Sequence, residues 1–277
     1  MFNDEFKERY TTIPFAVYRA YFVNKVKEVI AHQHKEIEII SMTEGSAFFY
    51  VDAQEYRLEK GDLLIIPPYA IHHGRTSEKG VSSYTCICFD LKIQCDEELK
   101  NGLEEHILAT KHLVSKESVY ASQLQKYVEK ACLANEKQAS GWELEAMGNI
   151  SLLMSILKKE DYFTKNLKCE TKNSFAQKVM NYIIDHYTDA ITSRTVADAF
   201  YMDTSYFCRL FKKNFGCCFA DYVLAYRLEK AKLHLTHTVS PVTEIAFQTG
   251  FNSCSYFSKT FKVRFGISPL SYRKLKR

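Results

Sequence analysis

The chain has 277 residues, 46% hydrophobic and 25% charged, with 10 Gly and 5 Pro. At roughly 150 residues per domain this suggests two domains, each with its own core, and the composition excludes disorder, collagen-like repeats and a low-complexity scaffold. The net charge of +4 is uneven: residues 171–277 carry 16 Lys+Arg against 7 Asp+Glu, while the remainder carries 21 against 26.

A basic third joined to an acidic remainder points to a polyanion-binding module attached to something else. No apolar stretch approaches the ~20 residues that span a bilayer, so no membrane partner is expected. The start, MFNDEFKERY, has no apolar run and is not read as a secretory signal. Nine cysteines, none in a CxxC pair, suit thiols in a reducing cytoplasm.

Residues 12 to about 93 read as short strands. SAFFYVD (46–52) and EYRLE (55–59) flank a polar turn at Asp52–Gln54, KGD (60–62) turns the chain into LLII (63–66), and Pro67–Pro68 ends that run. SSYTCICFDL (82–91) is rich in β-formers and places Tyr84, Cys86 and Cys88 on one face. Strands at this spacing favour a sandwich or small barrel, assigned to residues 1–95.

From 96 to 168 the pattern turns helical. Ala146, Ile150, Leu153 and Leu157 fall at steps of four, three and four, and Met147 and Met154 widen the stripe. That face is suited to cover the barrel or a second copy of the chain, and a homodimer through the 142–158 helix is expected. KNLKCETKNS (165–174), polar and aperiodic, marks a boundary before a final segment at 172–277. The expected fold class is α+β and multidomain: a β-barrel, a helical linker or dimerisation region, and an all-α end.

The most specific feature is a repeat. SYFCRLFKKNFGCCFADY (205–222) matches SYFSKTFKVRFGISPLSY (255–272) at an offset of 50, with eight of 18 positions identical and Arg209 opposite Lys259. Each copy has the anatomy of a helix-turn-helix. In the first, TSRTVADAF (192–200) forms a helix capped by Thr192 or Ser193, the chain turns at Tyr201–Met202, and Asp203 caps the next helix. That helix is expected to bury Phe207, Leu210 and Phe211 and to present Ser205, Cys208, Arg209, Lys212 and Lys213. In the second, VTEIAFQT (242–249) is followed by Gly250, suited to a left-handed turn, and by Asn252 or Ser253 as cap. Phe257 and Phe261 face inward there, leaving Cys254, Ser255, Ser258, Lys259 and Lys262 outside.

Such a pair of helices fits the major groove. Ser205, Cys208, Arg209, Cys254, Ser255, Ser258 and Lys259 are the expected base contacts, with Arg209 or Lys259 able to pair with guanine O6/N7. Lys212, Lys213, Lys262, Arg264 and the RKLKR tail (273–277) are expected on phosphates. The connecting FADYVLAYRLEKAKLHL (219–235) presents Tyr222, Leu228, Ala231 and Leu235 inward and Glu229–Lys232 as a solvated pair. A rigid connector would hold the reading helices about one DNA turn (~34 Å) apart on one face, or bend the DNA to achieve it.

ITSRTVADAF…DTSYFCRLFKKNFG…RLEKAKLHL…PVTEIAFQTGFNSCSYFSKTFKVRFGISPLSYR resembles the DNA-binding domain of AraC/XylS-family transcription regulators over about 100 residues. The resemblance implies binding to double-stranded promoter DNA, often with activation and with RNA polymerase as a partner. One departure is Tyr201, where a Gly commonly sits in the first turn; Tyr is costlier there if φ is positive.

HQHKEIEIISMTEG (32–45) and GDLLIIPPYAIHH (61–73) resemble the two cupin signatures, through His32, His34, Glu38 and Gly45, then Gly61, Pro67 and His72. Tyr69 stands where a Gly is expected. In AraC-like regulators such a cupin-like barrel commonly senses a small effector. Three readings of His32, His34, Glu38 and His72 stay open: an effector site for a sugar or related metabolite, a transition-metal site, or side chains that pair with one another. No cofactor is expected, and the chain is taken as an effector-responsive, non-enzymatic regulator. The alternative is a metal-dependent cupin enzyme carrying a nucleic-acid-binding domain.

Overall fold

A computed structural model describes residues 14–23, 29–76, 81–93, 96–105, 108–165 and 175–276. Its contacts divide the chain into two compact units, one within Phe6–Ser174 and the other on Phe175–Arg277. The expected boundary segment, at residues 166–174, lies outside the described residues, as does Arg277 of the basic tail. No helix among the described residues is long and apolar enough to cross a membrane.

The first unit is built on β1 (Phe15–Val23), β2 (Val29–His32), β3 (Ile37–Glu44), β4 (Ser46–Val51), β5 (Gln54–Glu59), β6 (Leu63–Ile66), β7 (His72–Thr76) and β8 (Val81–Phe89). They are followed by α1 (Glu97–Glu104), β9 (Leu108–Thr110), β10 (Leu113–Val114), α2 (Ala121–Lys137), α3 (Trp142–Lys159) and β11 (Phe163–Lys165). One antiparallel sheet has the order β1-β8-β3-β6-β10, another the order β2-β7-β4-β5, and β9 pairs with β11. The β4–β5 hairpin turns at Asp52 and Ala53, both at positive φ (47° and 66°), the mirror-image turn whose twist matches the strands it joins.

Alternation decides which core each side chain enters. Ile40, Met42, Leu64, Ile66, Tyr84, Cys86 and Cys88 join Ala47, Phe49, Val51 and Leu58 of the second sheet in one buried cluster. Their strand neighbours Ile37, Ile39, Leu63, Ile65, Ile87 and Phe89 enter a second cluster, with α1, α2 and α3. The five-stranded sheet is therefore covered on both faces, which is why β6 reads LLII without a polar residue.

Two expectations change here. The 96–168 segment is not purely helical: β10 extends the large sheet beside β6, and β9 and β11 form a ribbon, all too short to show a period in sequence. The stripe of Ala146, Ile150, Leu153, Met154 and Leu157 is buried in the unit's own core, where α3 packs against α2, the helix that lies on the sheet. Arg19 of β1 reaches Glu129 and Glu136 of α2, each at 2.8 Å, and so ties sheet to helix.

The second unit runs through α4 (Phe175–His186), α5 (Ser193–Ala199), α6 (Thr204–Phe215), α7 (Phe219–His237), α8 (Val242–Gln248), α9 (Cys254–Phe265) and α10 (Pro269–Lys276). Thr192 and Thr195 close a capping box at the start of α5, Asp203 accepts from the Tyr206 amide at 3.0 Å, and Ser253 accepts from Tyr256 at 3.3 Å. Phe207 and Phe211 are buried as expected, but Phe215 is the third buried residue of α6 and Leu210 is only half-buried. One more turn of helix carries Phe215 onto Phe211 and Tyr222, with ring centroids 4.1 and 5.2 Å away.

Helix α7 serves both halves. Tyr222 packs among Phe211 and Phe215, whereas Leu228, Ala231 and Leu235 sit with Ile245, Phe251, Phe257 and Phe261. Glu229 is a correction: instead of a solvated pair with Lys232, it is buried and accepts from Arg264 at 3.1 Å as well as from Lys232 at 3.4 Å.

Candidate functional site

On α6, Ser205, Cys208, Arg209, Lys212 and Lys213 are all exposed. On α9, Ser255, Lys259 and Lys262 are exposed, while Cys254 and Ser258 are half-buried. The exposed faces of the two helices thus match at Ser205/Ser255, Arg209/Lys259 and Lys212/Lys262. The buried phenylalanines at i and i+4 set this orientation, since they turn the polar face outward.

Two cations assigned to phosphates are held elsewhere. The Arg264 guanidinium donates to Glu229 Oε1 at 3.1 and 3.2 Å, so it anchors α9 to α7. Arg273 donates to the carbonyls of Leu235 and Ser240, at 3.3 and 2.7 Å, and closes the end of α7. A helical wheel shows that both side chains leave the apolar stripe but not that a carboxylate or a helix end waits there. Arg227, which the sequence did not single out, similarly donates to the Tyr187 and Asp189 carbonyls at 2.7 and 2.6 Å.

In the first unit, His32 ends β2, His34 lies in the β2–β3 connection, Glu38 is on β3 and His72 starts β7. The hydrogen-bonded turn at Pro67–Ala70 brings His72 back beside His32, its partner in the β2–β7 register. Tyr69 takes φ +62° in that turn and its amide donates to the His34 carbonyl at 2.7 Å, which accounts for a glycine being expected there. All four predicted side chains meet: the imidazole centroids are 4.1, 5.0 and 5.6 Å apart, and Glu38 Oε2 lies 3.0 Å from His34 Nε2 and 3.1 Å from His72 Nε2.

Each Nδ1 faces a backbone carbonyl: His32 to Ile30 at 3.0 Å, His34 to Glu36 at 3.0 Å and His72 to Ala70 at 2.9 Å. A carbonyl only accepts, so each Nδ1 faces it with a proton, and His34 and His72 donate to Glu38 when Nε2 carries one as well. Burial pushes His32 well below its ordinary value, helped by the neighbouring His72 and His34. Burial also opposes charge on His34, but its hydrogen bond to Glu38 outweighs this and raises it. Burial would raise Glu38; the His34 and His72 hydrogen bonds reverse that and hold it well below the usual carboxylate range.

The sequence placed Cys86 in the barrel but did not connect it to the histidines. Its thiol donates to Glu38 Oε1 at 2.9 Å and lies 3.7 Å from Cys88 Sγ. Burial pushes Cys86 up to about 12, which keeps it a neutral donor. The signal was available in strand pairing, because Glu38 lies opposite Cys88 in the β3–β8 register.

A family model described as an AraC-like ligand binding domain matches residues 14–154, just over half of the chain, and one described as a helix-turn-helix domain matches residues 196–275. The Bacillus subtilis (strain 168) protein named as uncharacterized HTH-type transcriptional regulator YdeC is 26% identical over 275 residues, covering 97% of this chain and 94% of its own. The HTH-type transcriptional activator RhaS of Enterobacter sp. (strain 638) is 24% identical over 249 residues, covering 88% of this chain and 87% of its own. With both matched segments on the two units, and a duplicated helix-turn-helix in the second, the chain belongs to the AraC family of transcription regulators, with an N-terminal AraC-like ligand-binding domain and a C-terminal helix-turn-helix DNA-binding domain.

Proposed function

We propose that this regulator works in the cytoplasm, reads promoter DNA with α6 and α9 and activates transcription in response to an effector held at His32, His34, Glu38 and His72. The observation that carries the DNA reading is the matched pair of exposed polar faces, each beginning with a serine and followed by a cation one turn on. Ser205, Cys208, Arg209, Cys254, Ser255, Ser258 and Lys259 face base edges, where a bidentate guanine contact contributes about 1–3 kcal/mol of discrimination. Lys212, Lys213 and Lys262 neutralise phosphates; Arg264 and Arg273 act inside the protein, holding the second reading helix in place.

Effector binding shifts the population of DNA-competent arrangements, RNA polymerase is the downstream partner, and the active form is a homodimer. The surface left for a dimer is the outer face of α3, where Leu144 (75% exposed) and Leu152 (51% exposed) remain uncovered after the inner stripe is buried. The test is selection of bound sequences from random duplex by the full-length protein. Enrichment of a bipartite site with half-sites about one turn (~34 Å) apart is expected; recovery of unselected duplex overturns the reading. Sedimentation of wild type beside Leu144→Glu/Leu152→Glu checks the dimer.

A further inference from the structure

The face of the five-stranded sheet that α2 covers changes character from one row of side chains to the next. Val17, Ile87, Ile39 and Ile65 pair in register across β1, β8, β3 and β6, and all four are buried in the apolar cluster. Two residues along each strand, on the same face by alternation, the row reads Arg19, Thr85, Ser41 and Leu63. A cavity of about 530 Å³ lies where the apolar layer stops. Ser41 and Thr85 line it from the sheet, Ser122, Gln125 and Lys126 from α2, and Lys60 from the end of the β4–β5 hairpin.

Several polar groups around this cavity are already engaged, and Thr85 is not. Arg19 holds both carboxylate oxygens of Glu129, at 2.8 and 3.1 Å, and reaches Glu136 as well. Thr43 and Ser83 share a hydrogen bond of 2.7 Å, and Gln125 donates to the Gly61 carbonyl. Thr85 is 1% exposed, and its hydroxyl has no hydrogen-bond partner among the described residues. An orphaned hydroxyl costs its full desolvation, whereas valine would fill the same shape on a strand without that cost. A molecule in the cavity is in place to supply the partner. Lys60 and Lys126 are both exposed at the same cavity, and neither forms an ion pair among the described residues.

We propose that the cavity between α2 and strands β3 and β8 binds a phosphorylated sugar, with its phosphate between Lys60 and Lys126 and its hydroxyls on Thr85, Ser41 and Ser122. Lysine is a point charge suited to phosphate; Arg19, whose fork would suit a carboxylate, already holds Glu129 and Glu136. Among the described residues no aromatic side chain lines the cavity, so a nucleobase finds no ring to stack on, while three hydroxyls match a sugar. The volume falls within the usual range for small-molecule sites. The site lies on the opposite face of β3 from Glu38, whose strand neighbours Ile40 and Met42 point into the other core, and it does not depend on what the histidine cluster holds. A ligand there would bridge α2 to the sheet beneath it.

The experiment is calorimetry on the full-length chain with ribose 5-phosphate, fructose 6-phosphate and glucose 6-phosphate, beside the three free sugars and inorganic phosphate. At least one sugar phosphate is expected to bind at one equivalent with Kd below about 1 mM, and about tenfold or more tighter than its free sugar or inorganic phosphate. Thr85→Val should weaken it about tenfold without lowering the Tm of the ligand-free protein, because the hydroxyl removed has no partner there. Lys60→Met combined with Lys126→Met should weaken it by at least about tenfold and flatten its salt dependence. Hydrogen exchange locates the ligand: protection is expected at residues 122–129 of α2. Absence of binding by all three sugar phosphates below about 1 mM, or equal affinity in wild type and Thr85→Val, overturns the site. Protection confined to residues 29–38 and 70–76 puts the ligand inside the barrel and overturns it too. Inorganic phosphate binding as tightly as the sugar phosphates overturns the sugar. A lower Tm in ligand-free Thr85→Val gives the hydroxyl a purely structural role and removes the argument.

Discussion

The two helix-turn-helix units use the same hydrogen bonds on different residues. Met202 N to Ala197 O in the first (2.9 Å) corresponds to Phe251 N to Ala246 O in the second (3.0 Å). The offset between copies is therefore 49 residues before the turn and 50 after it, and the second turn is longer by one residue. The left-handed position of the first turn is Tyr201 (φ +55°) and that of the second is Gly250 (φ +82°). A Cβ on Gly250 would lie 2.8 Å from the Tyr187 carbonyl oxygen and 2.9 Å from Arg227 Nε. Tyr201, by contrast, is 98% exposed, so its side chain projects into water and only the backbone strain remains. Glycine is required where a turn is packed against other backbone; where the turn is open, another residue can occupy the same dihedral region at a modest cost.

That contrast can be broken most forcefully at Gly250→Ala, expected to destabilise the second unit by about 3 kcal/mol or more, through positive φ and the close Tyr187 carbonyl. Tyr201→Ala at the matching position should fall within about 0.5 kcal/mol of wild type; equal losses at both, in urea titrations, would erase the distinction. Next comes Glu229→Ala. It leaves Arg264 and Lys232 without their carboxylate and should cost about 3 kcal/mol, with no counterpart in the first helix-turn-helix, where Asn214 occupies the position of Arg264 and donates to the Leu210 carbonyl. Burial would raise Glu229, but the surrounding positive charge, Lys232 and Arg264 among it, lowers it below its ordinary 4.5. Its stabilisation is therefore complete above that pH and lost as pH falls through the lower native value. Acid titration of Glu229→Gln should lack this loss.

On DNA, Arg209→Ala should cost about 1–3 kcal/mol and relax preference at one base position, while Lys213→Ala weakens all sequences evenly and lowers the salt slope by about 1. Binding to a panel of single-base operator variants at several salt concentrations separates them, and identical profiles would contradict the division of roles. The smallest effect is a gain: Tyr201→Gly should stabilise by about 1 kcal/mol or less, because relief of left-handed strain is offset by the greater entropy of glycine in the unfolded chain.

Much of the site was legible in the residues because it is carried by short-range spacing. The caps at Thr192, Asp203 and Ser253, the buried Phe207, Phe211, Phe257 and Phe261, and the inner stripe of Tyr222, Leu228, Ala231 and Leu235 all follow from helical period and N-cap chemistry. The histidines and Glu38 could be nominated from two motifs some 35 residues apart, but their mutual contact could not. Leu210, Arg264 and Arg273 were misjudged for one shared reason: each lies at the border of a helix face, where the neighbour across the gap decides whether the side chain is solvated, packed or bonded.

By itself, the order of residues determined the strand alternation, the helix stripes, the duplicated reading unit and the split between an acidic part and a basic part, since period, capping and charge act over a few residues. Tertiary structure alone decided that the stripe of α3 is spent inside its own unit, that Arg264 serves Glu229, and that a thiol on β8 shares a carboxylate with two imidazoles from elsewhere in the chain. Those outcomes depend on which distant surfaces meet, and the desolvation that makes such contacts strong arises only once the layers have closed.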